Sequence, residues 1–210
     1  MFHFIRNYNM MQGNGSTANG YTSEDFKKPI IRQETRILRP REFQALLRAV
    51  PLLDQQTQLQ CLLFTGMRYI EAKRFQTYPS WFDGDFIHLP KEACLKKERT
   101  QQERWVRLNQ QGKTVIRYFV QCKRPLPTYQ AWGMAMKRWG KAAGLDPIGL
   151  NSKTTRKTWE SWLMFYYTNQ IAHITLSQGH TQLISLQHYL NMPFTEIDRL
   201  EMKQFVEGWI

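Results

Sequence analysis

The apolar positions of this chain fall into helical runs, interrupted once by a stretch with the character of strands. Phe43, Leu46, Leu47 and Val50 recur at i, i+3, i+4 and i+7, which predicts one face of a helix that stops at Pro51. A second helix is expected over residues 54–64, turning Leu59, Leu62 and Leu63 inward. It should break at Thr65-Gly66, because glycine permits a turn that other residues resist. Met67 to Glu71 opens the next helix. Trp81 to Pro90 then places Asp83-Gly84-Asp85 between aromatic and β-branched residues, as a strand pair would. Arg104 to Leu108 reads as an alternation of polar and apolar positions, another strand, and the polar run 96–103 reads as a hairpin tip. Tyr129, Trp132, Met136, Trp139 and Ala143 restore the helical period, with Gly144 where a C-terminal cap belongs. That aromatic stripe reads as core, not as a base-stacking surface. Further helices are expected over 152–168, 171–177 and 182–190. After Pro193, the positions Phe194, Ile197, Leu200, Phe205 and Trp209 mark a last amphipathic helix over 194–208. The fold class is therefore mainly α with a small antiparallel β-sheet (α+β).

The first 36 residues lack this pattern. Met10 to Tyr21 is rich in Gly, Asn, Ser, Thr and Gln, and Lys27, Lys28, Arg32 and Arg36 follow it. Residues 1–36 are read as a flexible basic arm, and 37–210 as one ordered domain.

Composition narrows the function. A hydrophobic content of 42% over 210 residues fits a globular chain, and a net charge of +12 exceeds what solubility requires. A polyanionic partner follows, with nucleic acid ahead of an acidic membrane. Cys61, Cys94 and Cys122 form no C-x-x-C pair and read as reduced thiols. No apolar run approaches the roughly 20 residues of a membrane span, and no apolar core follows Met1 to Arg6 as a signal peptide would need. No membrane partner and a cytoplasmic location are expected.

Phosphate-loop, zinc-protease, serine-hydrolase and dinucleotide signatures are all missing, and the carboxylates are too scattered for a two-metal nuclease. What remains is a set of cations and one tyrosine. Arg68 follows the glycine turn at a helix start, where backbone N–H groups favour an anion. Lys153 and Arg156 are three apart, on one side of a helical turn. His180 follows Gly179, and Tyr189 comes nine residues later. Such a set suits in-line attack on a phosphodiester, since guanidinium forks match the non-bridging oxygens and stay charged.

Leu62-Leu63-Phe64-Thr65-Gly66-Met67-Arg68-Tyr69-Ile70-Glu71, Lys153-Thr154-Thr155-Arg156, and Gly179-His180 followed by Tyr189 resemble the three signature boxes of the tyrosine recombinases, the phage-integrase, Xer and Cre-like enzymes. Any one box alone is weak, because a lone arginine or tyrosine more often has a structural role. Order and spacing together make the resemblance specific over residues 37–210. It implies a recombinase catalytic domain in which Tyr189 attacks the scissile phosphate, leaving a 3′-phosphotyrosyl link and a free 5′-hydroxyl. Arg68 and Arg156 would hold the non-bridging oxygens, His180 would donate a hydrogen bond, and Glu71 would support Arg68. Lys153 stands where most members have histidine and would assist proton transfer. The lysine that protonates the leaving oxygen is assigned to Lys97, with Lys96 as competitor, because Glu103 to Leu108 resembles the strand that follows it. His3, His88, His173 and His188 are given no catalytic part.

No cofactor or metal is implied, since the phosphotyrosine conserves the bond energy. The implied partners are a double-stranded DNA attachment site and further copies of the chain, a tetramer on paired sites with the C-terminal segment exchanged between protomers. The short tail in place of an N-terminal DNA-gripping domain is read either as an archaeal-virus or plasmid-type integrase or as a separated catalytic fragment. A type IB topoisomerase, a non-cleaving DNA-binding regulator on the same fold and, more distantly, a basic RNA-binding protein are the competing functions.

Overall fold

Helix boundaries follow the apolar period closely. A computed structural model describes residues 28–93, 103–180 and 192–210. Strands β1 (Ile30–Arg32) and β2 (Thr35–Ile37) precede helices α1 (Pro40–Ala49), α2 (Leu53–Thr65) and α3 (Tyr69–Thr77). Strands β3 (Phe86–Leu89) and β4 (Arg104–Arg107) follow. Then come α4 (Gln110–Phe119), α5 (Tyr129–Ala142), α6 (Thr154–Tyr166), α7 (Ile171–Gln178) and α8 (Glu196–Val206). The chain is mainly helical with small antiparallel sheets, as the pattern predicts.

Helix α6 is the central element. Its Trp159, Trp162 and Leu163 are fully buried, and it packs on α2, α7, α8 and β2. Thr158 Oγ1 accepts from Leu38 N–H at 3.0 Å, and Trp162 Nε1 donates to the Leu38 carbonyl at 2.9 Å. Phe43, Trp162 and Phe205 meet at ring-centroid distances of 5.0–6.1 Å, which draws α1, α6 and α8 into one core.

Four features depart from the sequence reading. Residues 30–37, most of them assigned to the arm, form a hairpin of their own pairing Ile30 with Ile37 and Arg32 with Thr35. Arg36 is buried there, bound to Glu42 at 2.5 Å and to the Asp146 carbonyl, so this end of the expected arm belongs to the folded domain. Helix α4 has no counterpart in the reading. Asn109 caps it by accepting from Gly112 N–H at 2.8 Å, and Ile116 and Phe119 anchor it.

Strand β4 does not alternate polar with apolar. Its register with β3 pairs Leu89 with Arg104 and His88 with Trp105. Arg104 therefore shares the buried side with Val106, while Trp105 faces outward and stacks on His88 at 4.4 Å. Finally, α8 buries Asp198, Met202, Phe205 and Val206 and leaves Ile197 at 38% and Leu200 at 72% exposed. Asp198 turns inward because it caps the helix from Thr195 and pairs with Arg39. The C-terminal segment packs on its own domain: Asn109 Nδ2 donates to the carbonyls of Phe205 and Glu207, and Trp209 Nε1 to that of Arg107. Residues 1–27 of the arm, the hairpin tip except Glu103, and the helix expected over 182–190 lie outside the described residues.

Candidate active site

Two glycine turns assemble the site. Helix α2 ends on Gly66 in the left-handed region, φ +56°. A Cβ there would lie 2.8 Å from Trp159 Cδ1, so both the turn and its packing demand glycine. The chain then starts α3 with Arg68 as its N-cap, and Glu71 returns its carboxylate to the Arg68 backbone N–H at 2.8 Å. Helix α7 ends on Gly179, φ +67°, which delivers His180.

Arg68, Arg156 and His180 come together around the Gln178–His180 turn. Arg68 Nη1 donates to Glu71 Oε1 at 2.9 Å and Nη2 to the Gly179 carbonyl at 3.3 Å. Arg156, from the first turn of α6, donates to the carbonyls of Gly66 at 2.7 Å and Gln178 at 2.6 Å. Its Nη2 also pairs with Glu160 at 2.9 Å. Burial pulls the Arg156 guanidinium below its ordinary range, and Arg68 adds to this against the attraction of Glu160.

His180 Nε2 stands 2.8 Å from Glu160 Oε1. The oxygen only accepts, so Nε2 carries a proton in this contact. The 3.4 Å approach of Arg156 Nη2 to the same nitrogen then sets donor against donor and is no bond.

Sequence reasoning missed Arg104 and Glu160. Arg104 grips Glu71 with a two-pronged fork, Nη1 to Oε1 at 2.9 Å and Nη2 to Oε2 at 2.6 Å. Burial pushes the Glu71 carboxyl up, but Arg104, Arg156 and Arg68 outweigh this and hold it down at about 2. The available signal was an arginine on the buried phase of a strand, which requires a carboxylate opposite. Glu160 had a similar signal, lying one helical turn beyond Arg156.

Lys153 is the N-cap of α6, and its ammonium is exposed. Its backbone N–H binds Asn151 Oδ1 at 2.8 Å, and the hydrogen bonds among the described residues do not join its ammonium to the arginines. Tyr189, Lys97 and Lys96 lie outside the described residues. An open cleft of about 710 Å³ borders the cluster, lined by Arg104, Trp105, Arg107, Gly179 and His180 among others. Among the described residues no three His, Cys, Asp or Glu side chains converge as a metal site would need, and no helix is long and apolar enough to cross a membrane.

No family model and no curated protein sequence matches the chain. Solved structures do. A crystal structure of XerA recombinase superposes with a TM-score of 0.60 at 15% identity, over 84% of this chain and 67% of that one. XerH site-specific recombinase bound to its palindromic difH substrate, a post-cleavage complex, gives 0.55 at 16% identity over 85% of this chain and 54% of that one. Its pre-cleavage complex with difH gives 0.53 at 16% identity, over 73% and 49%. The chain thus spans about half the length of XerH. At these identities the likeness establishes the fold, that of a tyrosine recombinase catalytic domain.

Proposed function

We propose that the chain is a tyrosine-type site-specific recombinase that cleaves and rejoins duplex DNA through a 3′-phosphotyrosyl link on Tyr189, integrating or excising a mobile element. The observation that carries this reading is the convergence of Arg68, Arg156 and His180 on one turn, nine residues before a tyrosine. The recombinase fold and a net charge of +12 support it.

The chemistry follows from the donors. A guanidinium has five N–H groups. Arg68 commits one from each Nη to Glu71 and Gly179, which leaves three for a phosphate. Arg156 commits three, to Gly66, Gln178 and Glu160, and retains Nε–H and one Nη1 proton. These donors are fixed before substrate arrives, so little reorganisation is required when charge builds on the non-bridging oxygens. The Tyr189 oxygen bonds to phosphorus as the bond to the 5′-oxygen breaks. We assign the proton taken up by that oxygen to Lys97, and handling of the tyrosine proton to Lys153. The released 5′-hydroxyl, or that of a partner duplex, reverses the step without outside energy.

The partner we propose is a double-stranded attachment site bound by a tetramer on paired sites. Exchange of the C-terminal segment between protomers would require Met202, Phe205, Val206 and Trp209 to leave their own core. A nicked suicide duplex bearing the attachment sequence recovered beside the encoding gene tests the reading. Wild type should form a covalent adduct, and Tyr189→Phe should bind the duplex and form none. An adduct that survives Tyr189→Phe removes the assignment.

A further inference from the structure

We infer that Arg104 is a positioning residue of the phosphate clamp. It locks Glu71, through Glu71 it aims Arg68, and it seats the turn that carries His180. This rests on the reading of Arg68 and His180 as phosphate ligands.

Arg104 is 8% exposed and Glu71 fully buried. Such a pair is a poor device for stability alone, because apolar residues of the same volume often serve a core as well or better. The geometry points instead to orientation. A carboxylate offers about four lone-pair sites, and here four N–H groups occupy them. Oε1 accepts from Arg68 Nη1 and Arg104 Nη1, each at 2.9 Å. Oε2 accepts from the Arg68 backbone N–H at 2.8 Å and Arg104 Nη2 at 2.6 Å. Glu71 therefore has no freedom to turn while Arg104 is in place. Without the fork half of its sites open, and the carboxylate can swing towards Arg68 and drag its guanidinium along.

The same guanidinium reaches the turn that carries His180. Arg104 Nε donates to the Ser177 carbonyl at 3.1 Å, one turn segment before His180. A Cβ on Gly179 would lie 2.8–3.1 Å from Arg104 Cδ, Nε and Cζ, so the fork lies flat against that glycine. This is a second reason, beside its φ of +67°, for glycine to precede His180. Arg68 Nη2 closes the circuit on the Gly179 carbonyl. One side chain of β4 thus ties the start of α3 to the end of α7. A lysine would keep the charge but could not meet both carboxylate oxygens and the Ser177 carbonyl together.

The test is a double-mutant cycle on single-turnover adduct formation at saturating suicide duplex, using wild type, Arg104→Lys, Arg68→Ala and the double variant. Arg104→Lys should slow adduct formation roughly a hundredfold, the scale of a misplaced reacting group, while the duplex dissociation constant changes far less. In the Arg68→Ala background the same change should cost clearly less than a hundredfold, because the part that acts through Arg68 is already lost and only the part through the His180 turn remains. Penalties that simply multiply overturn the proposal, since a purely structural role gives that result. Should Arg104→Lys fail to fold, the neutral pair Glu71→Gln with Arg104→Met keeps the core filled, and wild-type rates in it overturn the proposal. A readout independent of cleavage is nitrogen-15 NMR of the arginine side chains. Hindered rotation of the Arg68 guanidinium in the wild type should be lost in Arg104→Lys, and an unchanged Arg68 signal overturns the proposal. If wild type forms no adduct on any duplex, the recombinase reading fails, and the NMR comparison still decides the role of Arg104.

Discussion

Replacing Glu71 by glutamine removes the charge at the centre of the site while keeping its volume. The amide oxygen can still accept two of the four N–H groups that Arg68 and Arg104 present, but its NH2 meets the other two donor to donor. The carboxyl is held at about 2 against an ordinary 4.5, because three guanidinium groups outweigh its burial. At about 1.4 kcal/mol for each pH unit of depression, this contributes about 3 kcal/mol at pH 7. Removing one partner of a buried pair independently costs about 3–5 kcal/mol, because the other charge is left uncompensated. The melting temperature of Glu71→Gln should therefore fall by roughly 6–20 °C at pH 7 for a domain of this size.

The sign of the pH dependence is fixed as well. A depressed carboxyl contributes in full above its unfolded value, near 4.5, and loses that contribution as pH falls through 2. The gap between wild type and variant should shrink by about 2 kcal/mol from pH 7 to pH 3. Urea unfolding of both proteins at pH 7 and pH 3 measures it. A gap below about 1 kcal/mol at pH 7, or one that stays constant down to pH 3, refutes the placement of Glu71 among three cations.

Other substitutions probe the scaffold. Gly66→Ala puts a Cβ at φ +56° and against the fully buried Trp159, which should cost about 3 kcal/mol in urea unfolding from left-handed strain and overpacking together. It should also loosen Arg156, whose Nη1 is held by the Gly66 carbonyl. Asn109→Ala removes the cap of α4 and orphans the carbonyls of Phe205 and Glu207, for about 2–3 kcal/mol. Limited proteolysis should then cut around residues 207–210 before the rest of the domain; cleavage in the wild-type order would show that Asn109 does not hold the tail.

What was legible in the sequence were features that local rules decide. The spacings Phe43–Val50 and Tyr129–Trp139 located α1 and α5, and the glycine at 66 marked the turn that leads to Arg68. What escaped depended on distant partners or on unsignalled turns. The β1–β2 hairpin turns on Gln33 and Glu34, both with positive φ, and lacks the Asn-Gly pair that announces such a turn. Leu200 fits an apolar stripe, yet Asp198 takes the inward place because it pairs there with the half-buried Arg39. Arg104 and Glu160 gave only a faint local signal, because each acquires its meaning from a residue on another segment, Glu71 and His180.

Two buried carboxylates explain how so many cations can share one turn. Arg68, Arg104 and Arg156 repel one another, and at the effective dielectric of a protein each close pair would cost about 4 kcal/mol. Glu71 bridges Arg68 to Arg104, and Glu160 bridges Arg156 to His180, both with almost no exposure. Three guanidinium groups against two carboxylates leave a single positive charge, His180 apart. That matches the one negative charge of a phosphodiester in its ground state. The proposed transition state is more negative, and the demand for further positive charge falls on groups at the edge of the cluster. Arg68, at 29% exposure against 12% for Arg156, keeps more N–H groups uncommitted and faces that demand first. The internal carboxylates thus hold the cations in place without neutralising the donors that a reacting phosphate would use.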